Sequence, residues 1–418
     1  FLSPHKFIGG PGSSGLLVAR RHLFSPPTAD EHARPTCPGG GTVRYVSPAA
    51  VDYEQEAIEA REDAGTPGIL QAIRCGIAFK VKEAVGCDRI EAAEQAHGRA
   101  ALEAWRAHPQ ITLLGADRAD YFDYERRVSI ISFNIRAPEG IAPSRASAAF
   151  LHAFGGQPIL HPHFVIQVLN DLYGIQGRSG CSCTGPYGHR LYGIAAPGDE
   201  CAATMRHLAA EHGEHAAKLG WARVNFNYFI DEAEAQFVRD AVLQIATHGW
   251  RLLPYYQIDP KSGQFTHRSF ERHDALRSLA ELEFVRDGCT FRVPCQDTAP
   301  LDHAKVLEEA EVIYKSAAKT VVGWADGNTA PRSMSDFTAP PSDELLTAVW
   351  WCMPNDAATL LCAQVGRVST KTVRYATEIK GALSQARSSA SSRRSTQVDS
   401  SLQDFEDSAM HKIMRPRG

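Results

Sequence analysis

Residues 3–15 run Ser3-Pro4-His5-Lys6-Phe7-Ile8-Gly9-Gly10-Pro11-Gly12-Ser13-Ser14-Gly15. A lysine beside a histidine, followed at once by a glycine-rich turn, supports two chemistries. Glycines let backbone N–H groups approach an anion, so the turn can cradle a phosphate. A lysine held at such a turn can also offer its amine to a carbonyl group as a Schiff base. No Gly-Lys-Ser/Thr follows, which separates the stretch from the nucleotide-binding P-loop. Composition alone leaves a third possibility, a turn with an exposed lysine.

Around this stretch the chain divides into segments of different character. Gly15-Leu16-Leu17-Val18-Ala19-Arg20 predicts a short buried strand. Residues 25–41, with four prolines and Gly39-Gly40-Gly41, have loop chemistry. A helix is expected to start at Thr66-Pro67, with Thr66 as N-cap and Pro67 at the first helical position. Its apolar stripe would be Leu70, Ile73, Ile77 and Val81. Glu54, Glu56, Glu59, Glu62 and Asp63 predict a solvated helix face. A second helix follows over about 90–108.

Past residue 110 the pattern alternates between strands and helices. Ile111–Leu114, Val128–Phe133 and Val224–Phe229 predict strands; Phe164, Val168, Leu169 and Leu172, then Val238, Ala241, Val242 and Ile245, mark helix faces. This predicts a compact α/β domain over 110–255. Residues 256–383 form an extension of unknown role with a helix near 301–321 and a break at Thr338–Ser342. Residues 384–418, serine-rich and poor in apolar side chains, are expected to be disordered.

Composition narrows the class. The 418 residues hold 44 Lys+Arg against 48 Asp+Glu, a formal net charge of −4, with 44% hydrophobic side chains. That balance excludes a nucleic-acid surface and a polybasic membrane patch, and no apolar run approaches 18 residues. A soluble globular protein is expected. Ten scattered cysteines match intracellular usage rather than a disulfide framework. The close pair, Cys181-x-Cys183, lacks the second ligand pair a structural zinc needs, and His161-Pro162-His163 predicts a loop pair before a helix rather than a metal site, so no metal is expected.

Three further stretches matter beside the lysine motif: Gly65-Thr66-Pro67, Arg178-Ser179-Gly180-Cys181-Ser182-Cys183-Thr184-Gly185-Pro186, and Ala222-Arg223-Val224-Asn225-Phe226-Asn227. Together, and in this order, the four resemble the class V aminotransferases and cysteine desulfurases, fold type I enzymes that depend on pyridoxal phosphate. The resemblance covers about residues 1–255. It implies that Lys6 carries the cofactor as an internal aldimine, with Ser3 and His5 helping to hold its phosphate. Thr66 would reach the phosphate of the neighbouring subunit's cofactor, which implies a homodimer. Cys183 matches the nucleophilic cysteine that takes sulfur from the substrate; Cys181 is an additional thiol, and Gly185-Pro186-Tyr187-Gly188-His189 differs from the usual continuation. Arg223 looks like the family's carboxylate clamp, a role for which only guanidinium offers two parallel donors, and Arg178 opens the cysteine motif as a second substrate-binding residue.

The resemblance thus implies an α/β fragment in three parts: residues 1–109 as a remnant of the cofactor-binding large domain, 110–255 as the small domain, then the extension and tail. It implies a transferase or lyase acting on an amino acid, either by sulfur transfer through Cys183 or as an aminotransferase or epimerase in which Cys183 is a bystander. The chain opens on Phe1, five residues before Lys6. An N-terminally truncated chain is therefore expected, one that binds the cofactor poorly alone and is inactive alone. A non-catalytic remnant or interaction module is the remaining alternative.

Overall fold

A computed structural model describes residues 1–25, 33–141, 150–151, 155–269, 282–286, 288–291, 300–325 and 335–364. The expected disordered tail at 384–418 lies outside these residues. The chain forms two compact units, one over Phe1–Ala93 and one from Glu94 onward. Helices and sheets are mixed throughout, an α/β protein as expected. No helix among the described residues is long and apolar enough to cross a membrane.

The first unit contains a two-stranded antiparallel hairpin, β1 (Val43–Val46) and β2 (Val51–Tyr53), with register Val46↔Val51 and Val43↔Tyr53. It also holds the short helix α1 (Ile58–Glu62) and the long α2 (Ile69–Val85). Arg61 is buried, donating to the Phe24 carbonyl at 2.7 Å and pairing with Glu62 at 3.0 Å; Glu62 in turn accepts from Thr36. The acidic run is therefore not one solvated helix face. Glu54 lies outside the helix and pairs with Arg44 at 3.2 Å.

Three expectations for this unit are corrected. The helix starts at Ile69 with Gly68 as N-cap, and Thr66 makes no cap bond. Residues 17–20 form no strand and lie exposed; only Leu16 bridges, to Leu2. The stripe of Leu70, Ile73 and Ile77 faces solvent, at 72%, 54% and 48% exposure, and Val81 is half-buried. The helix instead buries Cys75 and Ala78, on the side that supports the lysine loop.

The second unit is built on a four-stranded antiparallel sheet. Its strands are β3 (Ile111–Leu113), β4 (Ile130–Arg136), β5 (Ile159–Leu160) and β6 (Ala222–Asn225). Strand β4 is central. Along one edge Leu113 pairs with Phe133 and Ile111 with Ile135; along the other β6 pairs with Ile130–Phe133, and β5 with Ile135 and Arg136. The period-2 rule gives β4 its core face, and Ile131, Phe133 and Ile135 have no exposed surface. The β6 strand stops at Asn225, short of the expected Phe229.

Helices cover the buried face. The helix α3 (Cys87–Arg106) brings Trp105, fully buried, to 5.1 Å from the Phe133 ring and 5.9 Å from Phe226. Its indole N–H donates to the Arg239 carbonyl at 3.3 Å. The helix α4 (Pro162–Tyr173) inserts Phe164, Val165, Val168, Leu169 and Leu172. Its N-cap is His161, whose ring accepts from the His163 N–H, and Gly174 ends it in the left-handed conformation with φ 70°. His161 is therefore a capping and packing residue, whereas His163 lies inside the helix and not in the loop expected before it.

Three helices follow: α5 (Gly185–Leu191), α6 (Glu200–Ala210) and α7 (Glu232–His248). The last opens on a full capping box, Asp231 with Glu234. Beyond residue 255 come two antiparallel hairpins, β7 (Tyr256–Ile258) with β8 (Phe265–His267) and β9 (Leu282–Val285) with β10 (Gly288–Phe291). Helices α8 (His303–Ala325), α9 (Asp343–Thr347) and α10 (Pro354–Gln364) complete the described chain. Much of this extension is continuous with the core. The hydroxyls of Tyr173 and Tyr314 meet at 2.9 Å, Tyr256 donates to Asp171 at 3.0 Å, and Trp350 stacks on His161.

Two outcomes follow from this packing. Trp105→Ala removes the side chain that joins sheet and helix, and should cost about 3–5 kcal/mol, read as a lowered urea midpoint. Burial, with His163 close by, holds the fully buried His161 well below its ordinary pKa, and burial lowers His163 as well. The unfolded chain then binds more protons than the folded one below pH ~6.5. Stability should be flat above that value and fall as pH drops from it toward the folded values. His161→Gln should flatten the slope in denaturant titrations between about pH 6.5 and 5.

Candidate active site

The lysine motif forms a closed loop. Leu2 and Leu16 pair backbone to backbone at 2.8 and 3.1 Å, and within the loop a 3-10 turn covers Pro4–Lys6. Pro4 is buried beneath the turn, Ser3 is half-buried, and His5 and Lys6 are exposed. The glycines are required by close approach. A Cβ on Gly10 would lie 1.9 Å from the Pro4 carbonyl oxygen, and Gly9 and Gly12 sit at φ 77° and 79°. Helix α2 holds the loop from outside: Ser14 N–H donates to the Gln71 carbonyl, Arg74 donates to the Pro11 carbonyl, and Phe7 packs edge-on against Phe79 at 5.4 Å. Inside the loop, Ser13 Oγ is buried with no hydrogen-bond partner.

Such a loop can do two things chemically. Its exposed lysine amine can take a carbonyl group, and its unpartnered hydroxyl can bind an anion. Thr66, three residues before α2, is exposed and its hydroxyl is not used as a cap.

The cysteine motif is laid along the edge of the sheet. After α4 the chain turns at Gly174 and runs beside β6: Arg178 and Arg223 exchange backbone hydrogen bonds of 3.0 and 2.7 Å, and the Trp221 N–H donates to the Gly180 carbonyl at 3.3 Å. The two backbones touch where neither has a side chain, since a Cβ on Gly220 would meet Gly180 Cα at 2.5 Å. A turn closed by the Thr184 N–H and hydroxyl on the Cys181 carbonyl, at 2.9 and 2.8 Å, then presents Cys183. Its two central residues, Ser182 and Cys183, have φ 52° and 64° and are the only non-glycine residues with positive φ among those described. Each costs on the order of 1–2 kcal/mol in that conformation.

Three of the sequence-predicted residues therefore converge. The Arg178 guanidinium donates to Cys183 Sγ at 3.0 Å. Arg223 is half-buried on the adjoining strand, its guanidinium lowered from its ordinary pKa by burial and by the like charge of Arg178, with Cys183 acting the other way. Among the described residues no carboxylate pairs with either arginine. Cys183 is exposed, whereas Cys181, two residues earlier, is half-buried and packs against the core.

Sequence reasoning set His163 in a loop pair before a helix and gave it no place near the cysteine loop. Its Nδ1 lies 2.8 Å from the Gly263 carbonyl, which fixes the proton on that nitrogen. The other nitrogen, Nε2, faces the base of the cysteine loop, 3.6 Å from where a Cβ on Gly180 would stand. Its partner lies 100 residues away, so no local spacing could have marked it.

Comparison with known proteins accords with these two motifs. Residues 1–207 match the family model described as aminotransferase class-V. A “Probable cysteine desulfurase” of Halobacterium salinarum is 27% identical over 194 residues, 46% of this chain and 37% of its own length. One from Streptomyces coelicolor is 29% identical over 192 residues, again 46% and 37%; one from Methanothermobacter thermautotrophicus is 26% identical over 246 residues, 58% and 48%. Among solved structures, the apo cysteine desulfurase of Thermococcus onnurineus aligns at a TM-score of 0.35 and 21% identity, over 51% of this chain and 39% of that one. The chain thus spans between about a third and a half of the length of these curated relatives. Residues 1–207, which carry the lysine and cysteine motifs, are thus similar to the class V aminotransferases, and the curated relatives matched over that part are named cysteine desulfurases.

Proposed function

We propose that this chain serves a pyridoxal-phosphate-dependent reaction on an amino acid, with sulfur transfer to Cys183 as its chemistry. The observation that supports this best is the grouping of two guanidiniums without a carboxylate partner around an exposed thiol. A half-buried cation with no internal counter-ion suits an external anion, and the planar fork of Arg223 matches a substrate carboxylate in two parallel hydrogen bonds. Arg178 then places a fixed positive charge beside the sulfur that gains and loses electron density.

The residues of the lysine loop fit the cofactor at two of its ends. Lys6, with an exposed amine, would hold its aldehyde carbon. Ser3, His5 and the orphaned Ser13 Oγ would serve its phosphate, with the N–H groups of the glycine turn. When bound, pyridoxal phosphate supplies an electron sink for the carbon next to the substrate's amino group. The chain's own part is to clamp the carboxylate at Arg223, to move the α-proton at Lys6 Nζ, and to receive sulfur at Cys183 Sγ. In this reading the protein is a homodimer, with Thr66 directed to the partner's cofactor phosphate. The exposed stripe Leu70, Ile73 and Ile77 supports burial of that unit against another surface.

In the cofactor-loaded protein, Cys183→Ser should lower sulfide release from cysteine by roughly a hundredfold or more while the absorbance of the Lys6 Schiff base persists. Unchanged turnover would move the reaction to the aminotransferase or epimerase branch and make Cys183 a bystander. Arg223→Ala should raise KM for the amino acid by about one to two orders of magnitude, and Arg223→Lys should recover little of it. Sedimentation equilibrium should return the mass of two chains; the mass of one would remove the homodimer.

A further inference from the structure

The cysteine loop carries two thiols where sulfur acceptance needs one. Cys181 and Cys183 flank Ser182 in a single turn, and the Thr184 N–H and hydroxyl both close onto the Cys181 carbonyl. Residues two apart have Cα atoms at most about 7 Å apart when extended. In a turn they lie closer, inside the ~4.4–6.8 Å that a disulfide spans. The turn is also held in a conformation that its residues do not favour, with Ser182 at φ 52° and Cys183 at φ 64°. The environments of the two thiols differ. Cys183 is exposed under the Arg178 guanidinium, while Cys181 sits half-buried at the loop's base.

From this geometry we infer that Cys181 is the resolving thiol of the pair: it displaces sulfide from a persulfide on Cys183 and closes a Cys181–Cys183 disulfide. The inference rests on the reading of Cys183 as the sulfur acceptor. The Cys181 thiol gives its proton to solvent, and its sulfur attacks Cys183 Sγ. The new bond is Cys181 Sγ–Cys183 Sγ; the bond broken joins Cys183 Sγ to the outer sulfur, which leaves as hydrosulfide with the electron pair. The outer sulfur is reduced and the two cysteines are oxidised, so no outside oxidant enters. A dithiol reductant then restores both thiols by exchange, leaving as its own disulfide. The attack is intramolecular, and the loop that carries both thiols is anchored on β6 at one end and on α5 at the other.

Inorganic polysulfide loads sulfur onto thiols without turnover and is the probe for the test. The full chain is treated, desalted, and followed by peptide mass spectrometry across 178–190 together with hydrosulfide release. In the wild type the added sulfur on Cys183 should be short-lived, giving way to a peptide lighter by two hydrogens and to free hydrosulfide. In Cys181→Ser and Cys181→Ala the added sulfur should persist, with hydrosulfide release slowed by roughly tenfold or more; Cys183→Ser should form no disulfide. Two substitutions at Cys181, each checked by circular dichroism, separate thiol chemistry from packing. If the wild type holds its persulfide as long as both Cys181 variants, the inference falls and the acceptor role of Cys183 stands. If Cys183 takes up no sulfur in any variant, the acceptor reading falls and takes the inference with it.

Discussion

The pairing of β4 on both of its edges is the constraint on which the larger unit depends. A strand with neighbours on each side satisfies its backbone donors and acceptors internally, so its alternate side chains can be buried completely. Ile131, Phe133 and Ile135 meet that condition, and Trp105 packs on the middle one. The outer edge of β6 is then available. It is occupied by the chain around Arg178, with two backbone hydrogen bonds to Arg223 and one from Trp221 to Gly180. The cysteine turn is therefore an extension of the sheet, and the position of Cys183 is inherited from the core.

That inheritance explains how a strained turn persists. Two left-handed non-glycine residues cost a few kcal/mol together, a cost set against hydrogen bonds at the Arg178, Gly180 and Thr184 anchors on either side. Glycine at 180 and 220 lets the backbones cross without a side chain between them. The residues that look like motif spacers are the ones that permit the approach. Arg178 and Arg223 become neighbours by strand pairing, although 45 residues separate them, and their mutual repulsion is tolerable because neither is fully buried.

The legible parts of the sequence were those where periodicity and local punctuation agreed. Helix α4 buries the expected face of Phe164, Val168, Leu169 and Leu172, although it opens at Pro162, inside the stretch expected to be loop. Strands β3 and β4 alternate cleanly and were placed to within a few residues. Helix α2 shows the limit of such reasoning. Its Leu70, Ile73 and Ile77 repeat at the helical period and still face solvent, because period reports what a helix can bury and its neighbours decide what it does bury. Thr66-Pro67 has the chemistry of a helix start, yet the first helical turn forms two residues later at Gly68-Ile69. The packing of 303–325 on α4 and α7 was illegible for another reason. The Tyr173–Tyr314 contact joins residues 141 apart, and nothing local signals it.

The two motifs differ in how much of their chemistry the fold supplies. At the lysine loop, backbone closure and the Gly10 approach fix the turn, while Lys6 is exposed and the buried Ser13 Oγ has no hydrogen-bond partner. A buried hydroxyl without a hydrogen bond costs on the order of 1–3 kcal/mol, which a bound anion would recover. At the cysteine loop the thiol already has its guanidinium, and under the proposed function Arg223 would take the substrate carboxylate. Both motifs lack negative charge at the point where an amino-acid carboxylate or a phosphate would bring it. The net charge of −4 does not show this, and acidic groups such as Glu54 and Glu232 are paired with Arg44 and Arg239. Under the proposed function, guanidiniums without a carboxylate partner would favour a small anion, whereas a polyanion would meet the overall charge of −4.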